Sequence, residues 1–336
     1  MKFNTWYNKN HKKILVVPAI FLTLALIFLA AFYFQTGDII NKDVSLTGGS
    51  VFTISTDIPP SEMTNHLSKD FTDFTVNSIS DNSGNQIQLI IAISESQAGD
   101  LKTSLENFLG HELNSENSSI ETTSASLSKD FYRQLIISII LAFLWMSAIV
   151  FIIFTKGIKP KIWIIALNLL FGFFMGKFFY SLNPIISFII FILFLAILIK
   201  IYIKKSVPAF AVMLCAFTDL ILTLAVVDLI GMKLSTAGIV AFLMLIGYSV
   251  DTDILLTSRI LNKKDNVNTA MFSAFKTGIT MTLTSIIAIA TALIIVFRLE
   301  SVLNQIFIIL IIGLCFDIFN TWVTNASIIK WYVEKK

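Results

Sequence analysis

Long apolar runs separated by short polar breaks dominate the chain, and that pattern selects its solvent. A helix needs about 20 apolar residues to cross a hydrocarbon core of roughly 30 Å at about 1.5 Å per residue. Residues 14–34, 134–154, 162–180, 185–203, 207–230, 236–256, 271–297 and 306–332 each meet that requirement. The pattern therefore predicts about eight membrane spans. Between 36 and 133 the texture changes to a polar, Ser/Thr/Asn-rich stretch of about 100 residues, the size of one compact domain. Its periodicity reads strand, helix, strand, strand, helix, strand. The strands are expected at 50–55, 75–79, 86–93 and 120–123. The helices are expected at 61–71, after Pro59 and Pro60, and at 96–109, where Leu101, Leu105 and Leu109 recur at helical spacing. Asp81, Asn82, Ser83 and Gly84 supply the hairpin turn between the middle strands. This order predicts a ferredoxin-like α+β sandwich projecting from an α-helical polytopic bundle.

Composition agrees with the pattern: 55% of the residues are hydrophobic, 14% are charged and the mean hydropathy is +0.79. A net charge of +3 without a basic stripe interleaved with aromatics gives no reason to expect nucleic-acid binding. Charge placement is more informative. When the spans alternate, Lys2, Lys9, Lys12, Lys13, Lys156, Lys159, Lys161, Lys200, Lys204 and Lys205 fall on the N-terminal side of the membrane. Arg259, Lys263, Lys264, Lys330, Lys335 and Lys336 fall there too, whereas the short opposite turns hold Lys233 and Arg298, with Lys177 near a helix end. The positive-inside rule makes both termini cytoplasmic in a cell-membrane protein. The expected layout is a cytoplasmic segment 1–13, a first transmembrane helix 14–35, an external domain 36–133, a transmembrane bundle 134–332 and a short tail 333–336. Residues 14–34 read as a retained anchor, because Tyr33-Phe34-Gln35-Thr36 is a poor small-residue cleavage site.

Enzymatic chemistry finds little support. His11, His66 and His111 lie outside the expected spans and far apart, and no Cys/His spacing resembles a metal site, so neither metal nor cofactor is expected. Cys215 and Cys315 fall within spans as small apolar side chains. Gly172-Phe-Phe-Met-Gly176-Lys177 is one residue short of a phosphate loop and reads instead as a small-xxx-small packing contact, with Lys177 snorkelling. Asn117-Ser118-Ser119 matches a glycosylation acceptor.

Ionisable residues inside the membrane cost roughly 2.5–3.5 kcal/mol at the helix centre and are therefore candidates for function. Asp219 and Asp317 lie at mid-span depth; the bland reading of each is a carboxyl that only ties helices together. Asp228 approaches a span end and reads as interfacial. Around 246–253, Tyr248, Asp251, Thr252 and Arg259 share one broad stripe at about 100° per residue, with Asp253 pointing away. Asp251 and Arg259 are separated by about 12 Å along the axis, so a link between them needs an intermediary. The competing reading is the ordinary cytoplasmic end of a span.

These residues resemble the SecF family. Ile246-Gly247-Tyr248-Ser249-Val250, an acidic cluster and an arginine eleven positions after the tyrosine match its signature. Ala216-Phe217-Thr218-Asp219-Leu220-Ile221-Leu222-Thr223-Leu224 resembles its Ala-x-x-Asp-hydrophobic-x-Thr-Leu segment, and Gly48-Gly49-Ser50 its external-domain opening motif. Asp251-Thr252-Asp253 in place of a bacterial Asn-Asp-Thr, and Ser258 before the arginine, look like the archaeal branch. The resemblance implies an RND-like bundle and a translocase accessory subunit that acts with a SecD-like subunit and a SecY-type channel on unfolded exported polypeptides. It also implies proton-driven movement in which Asp219 and Arg259 carry over directly, whereas Asp251 and Asp317 are relay or packing candidates and Tyr248, Thr252 and Asp253 complete a polar network. Family members usually have six spans, so 161–203 reads as an added hairpin. An RND-type exporter of small molecules or lipids and a passive assembly factor are the competing functions.

Overall fold

The structure, a computed structural model, describes residues 7, 10–72, 74–80, 85–115, 117–178, 183–262, 267–297 and 302–335. The expected turn at Asp81, Asn82, Ser83 and Gly84 and the basic residues Lys2, Lys9, Lys263, Lys264, Arg298 and Lys336 lie outside them.

After the first helix, α1 (Val16–Thr36), the chain builds β1 (Gly49–Ile54), α2 (Pro60–Leu67), β2 (Phe74–Ser80), β3 (Gln86–Ile93), α3 (Ala98–Leu109) and β4 (Ser118–Thr123). The sheet order is β2-β3-β1-β4, with every neighbouring pair antiparallel. This is the expected split βαβ arrangement. Strand alternation puts Phe52 and Ile54 of β1 and Leu89, Ile91 and Ile93 of β3 on one face, where Met63 and Leu67 of α2 and Leu101 and Leu105 of α3 cover them. Asn117 of the glycosylation triplet is half-buried and bonded within its own loop: its amide nitrogen donates to the Glu112 carbonyl at 2.9 Å, and its Oδ1 accepts the Asn114 N–H at 2.9 Å.

The membrane bundle continues with α4 (Ala125–Phe154), α5 (Ile158–Lys177), α6 (Pro184–Lys205), α7 (Val207–Leu229), α8 (Thr236–Asn262), α9 (Val267–Val296), α10 (Val302–Asn320) and α11 (Ala326–Lys335). α10 and α11 run together through a π-helical turn at Thr321–Asn325. Among the described residues, eight helical stretches are long and apolar enough to cross a membrane, as expected. The first already begins at Asn10, so His11, expected outside the spans, sits in its first turn. α7 and α8 are the central helices: 61% and 56% of their most apolar windows are buried, against 6% for α9.

Small residues set the close approaches. A methyl group on Gly313 of α10 would overlap the Leu245 side chain of α8, and one on Gly278 of α9 would lie 2.9 Å from the Trp322 ring. The expected contact at Gly172 and Gly176 is corrected. Among the described residues nothing lies within 4 Å of a side chain added at Gly176, and one at Gly172 meets Leu141 at an ordinary 3.7 Å. The hairpin of α5 and α6 is held instead by aromatic packing, with Phe171 stacked on Phe194 at 3.7 Å and the Tyr202 hydroxyl hydrogen-bonded to Ser147 of α4.

The domain joins the bundle through a neck. Gly37, at φ 81°, ends α1. Lys42 then pairs in a short parallel bridge with Leu234 from the α7–α8 turn, and the Asn41 N–H donates to the Asp228 carboxylate at 3.1 Å. Tyr132 of α4 donates to Asp38 at 3.0 Å. Gly48, at φ 88°, turns the chain into β1 at Gly49, a conformation that L side chains adopt only under strain.

Candidate functional site

α7 is an almost continuous apolar helix, so Asp219 has no solvent to reach and takes its hydrogen bonds from neighbouring helices. It is fully buried. Ser249 of α8 donates to its Oδ2 at 2.6 Å, and the Asn320 amide at the end of α10 donates to its Oδ1 at 2.5 Å. One carboxyl thus ties three helices.

Two more buried carboxyls lie beside it. Asp317, on α10, accepts from the Thr252 hydroxyl of α8 at 3.0 and 3.1 Å and from Thr321 at 3.3 Å. Asp253, on α8, accepts at Oδ1 from the Asn325 amide at 2.8 Å. The same Asn325 amide group reaches the Asp253 carbonyl at 3.2 Å and the Thr257 hydroxyl at 3.2 Å. The three carboxyls are near enough to repel one another when charged. Among the described residues, no ion pair reaches any of them. Their donors are hydroxyls and amides throughout.

The stripe on α8 is corrected by this geometry. The buried face carries Ser249, Thr252, Asp253 and Leu256, which repeat at i, i+3, i+4 and i+7. Asp253, expected to point away from the stripe, therefore faces the network, and Thr252 bonds to Asp317 within it. Asp251 is exposed, and Tyr248 is 44% exposed. Arg259 does not meet Asp219. Three turns beyond Ser249, about 15 Å along the axis, its guanidinium donates to the Ser273 carbonyl at 2.9 Å and the Thr277 hydroxyl at 3.0 Å, clasping α8 to α9.

Ser249, Asn320, Thr321 and Asn325 were absent from the expected set. A signal for two of them was present: Thr321 and Asn325 follow Asp317 at four-residue spacing inside an apolar span. The π-helical turn spans Thr321–Asn325 and so rotates these polar groups relative to a regular helix, a feature frequent at functional sites. Gly48 and Gly49 lie in the neck, remote in sequence and in role from the carboxyl cluster.

Comparison with known proteins places this architecture. The family model for the C-terminal region of the protein-export membrane proteins SecD and SecF matches residues 175–335, which include all three carboxyls. The chain is similar to the protein-export membrane protein SecF of Pyrococcus furiosus, at 29% identity over 97% of this chain and 92% of that one. The SecF of Methanolacinia petrolearia is 44% identical over 42% of this chain and 50% of its own. Among solved structures, SecDF of Thermus thermophilus, a translocon-associated membrane protein, shares the fold with a TM-score of 0.58 at 14% identity. That match covers 97% of this chain and 38% of the SecDF chain. With one external α+β domain, eight long apolar helices among the described residues and SecF relatives matched along nearly its whole length, the chain is similar throughout to the SecF protein-export membrane proteins.

Proposed function

We propose that this chain is an accessory subunit of the Sec translocase that works with a SecD-like partner beside a SecY-type channel and helps draw unfolded polypeptides outward, driven by a proton gradient. The observation that carries the reading is the set of three buried carboxyls, each bonded to a neighbouring helix by neutral donors. A carboxylate only accepts hydrogen bonds, whereas a carboxylic acid also donates one. Protonation of Asp219 therefore changes what Ser249 and Asn320 must offer it, and with that the registration of α7 against α8 and α10. The SecD-like partner is suggested by the size of the SecDF chain, of which this protein spans 38%. The basic ends of the spans support cytoplasmic termini in the cell membrane.

Replacing Asp219 with Asn keeps the size and the hydrogen-bonding capacity of the side chain and removes its titration. Gradient-dependent export of a reporter protein into inverted membrane vesicles should fall to the level seen without a gradient, while co-purification with the SecD-like partner persists. Unchanged export in that variant would sink proton coupling at this site and favour a passive assembly role.

A further inference from the structure

α1 docks on α7 near its middle, where Ala25 and Leu29 pack against Leu222 and Ala225. Toward the lysine-rich end of the bundle the two helices part and leave a cavity of about 610 Å³. Ala19 and Leu22 of α1 form one wall, Phe210 and Leu214 of α7 the other, and Trp331 and Lys335 of α11 close the end. Its volume lies within the roughly 300–1,000 Å³ typical of small-molecule sites, and its walls are almost entirely carbon. An apolar cleft between transmembrane helices is filled by hydrocarbon rather than by water.

The mouth adds charge. The ammonium groups of Lys12 and Lys335 lie 5.8 and 5.9 Å from the centre of the Trp331 ring. Among the described residues neither has a carboxylate within ion-pair distance. The nearby Glu334 carboxylate is engaged elsewhere, 3.3 Å from His11 and 3.8 Å from Lys330. Two ammonium groups beside an indole at the end of an apolar groove suit an anionic headgroup whose chain lies inside. The floor reaches toward the carboxyl cluster. Thr218 and Thr324 line the groove, and the Thr324 hydroxyl donates to Asn320 Oδ1 at 3.4 Å while the Asn320 amide donates to Asp219.

We infer that this groove is a binding site for one anionic membrane lipid, with an acyl or isoprenoid chain between α1 and α7 and the phosphate between Lys12 and Lys335. The inference stands apart from the proposed translocase role, because it concerns lipid retention by the full chain itself. Native mass spectrometry of the purified full chain, equilibrated with equal phosphatidylglycerol and phosphatidylcholine, tests it. The wild type should retain one phosphatidylglycerol in preference to phosphatidylcholine. Lys12→Gln with Lys335→Gln, both at exposed positions, should reduce that preference about tenfold and leave phosphatidylcholine retention unchanged. Leu214→Trp, which fills the groove, should lower retention of both lipids. The inference is overturned if the wild type shows no headgroup preference or if the double lysine variant keeps it.

Discussion

Each of Asp219, Asp253 and Asp317 can hold a different set of partners once it carries a proton, and at mid-bilayer depth no water compensates for a mismatch. This separates two neighbours in sequence. Asp253→Asn should reduce gradient-driven export at least about tenfold, equivalent to about 1.4 kcal/mol, whereas Asp251→Asn, at an exposed position, should stay within about twofold; the same vesicle assay reads both. Equal effects would refute the assignment of Asp253 to the network. Asn325→Leu should be structural instead, because it strips the donor from both Asp253 Oδ1 and the Asp253 carbonyl. Unpaired buried acceptors cost about 1–3 kcal/mol, so the melting temperature in detergent should drop while the oligomeric state is kept. In the sequence Asp219 and Asp317 were legible because an acid in a long apolar helix has few explanations, whereas Thr252 stood out only as part of the polar run 249–253. The choice between Asp251 and Asp253 was not legible, since at about 100° per residue the two point to opposite faces of the helix and only the neighbouring helices decide which face is inside.

At the level of elements, hydropathy sufficed for the spans and alternation sufficed for the strands, because both patterns are imposed by the solvent on either face. The strand at 86–93 matches β3 residue for residue, and β4 begins two residues earlier than expected, at Ser118. Close helix approaches were less legible: the glycines that matter are Gly313 and Gly278, whose neighbours Leu245 and Trp322 are distant in sequence, while the spaced pair Gly172 and Gly176 forms no such contact. Overpacking a filled interface costs about 1–3 kcal/mol. Gly313→Ala should therefore lower thermal stability in detergent by that amount, since the added methyl group must displace Leu245 from between α8 and α10. Gly176→Ala, with open space around it, should leave the melting temperature unchanged. The measurement fails this account if the two variants behave alike.

Across the whole molecule, the carboxyl cluster and the external domain are connected through α7. Asp219 and Asp228 lie nine residues apart on that helix, about 14 Å along its axis, and Asp228 holds the neck through the Asn41 N–H. Leu234, five residues beyond the helix, pairs with Lys42 at the same place, and the Leu234 N–H donates to the Asn41 carbonyl at 2.6 Å. A shift of α7 against α8 thus acts directly on the segment that leads into β1, and α5 and α6, whose Phe171, Phe194 and Tyr202 share a core with Val212 and Ala216 of α7, buttress the same helix. Asp228→Leu removes the acceptor for Asn41 without touching the carboxyl cluster. In that variant the bundle should assemble normally with its melting temperature within a few degrees of the wild type. The protease sensitivity of the external domain in vesicles, expected to change on imposing a proton gradient in the wild type, should become indifferent to it. If the gradient still alters cleavage within residues 49–123, the signal does not travel through the neck. If Asp219→Asn and Asp228→Leu each abolish the response and the double variant is no worse than either, the two acids lie on one path from the membrane to the domain.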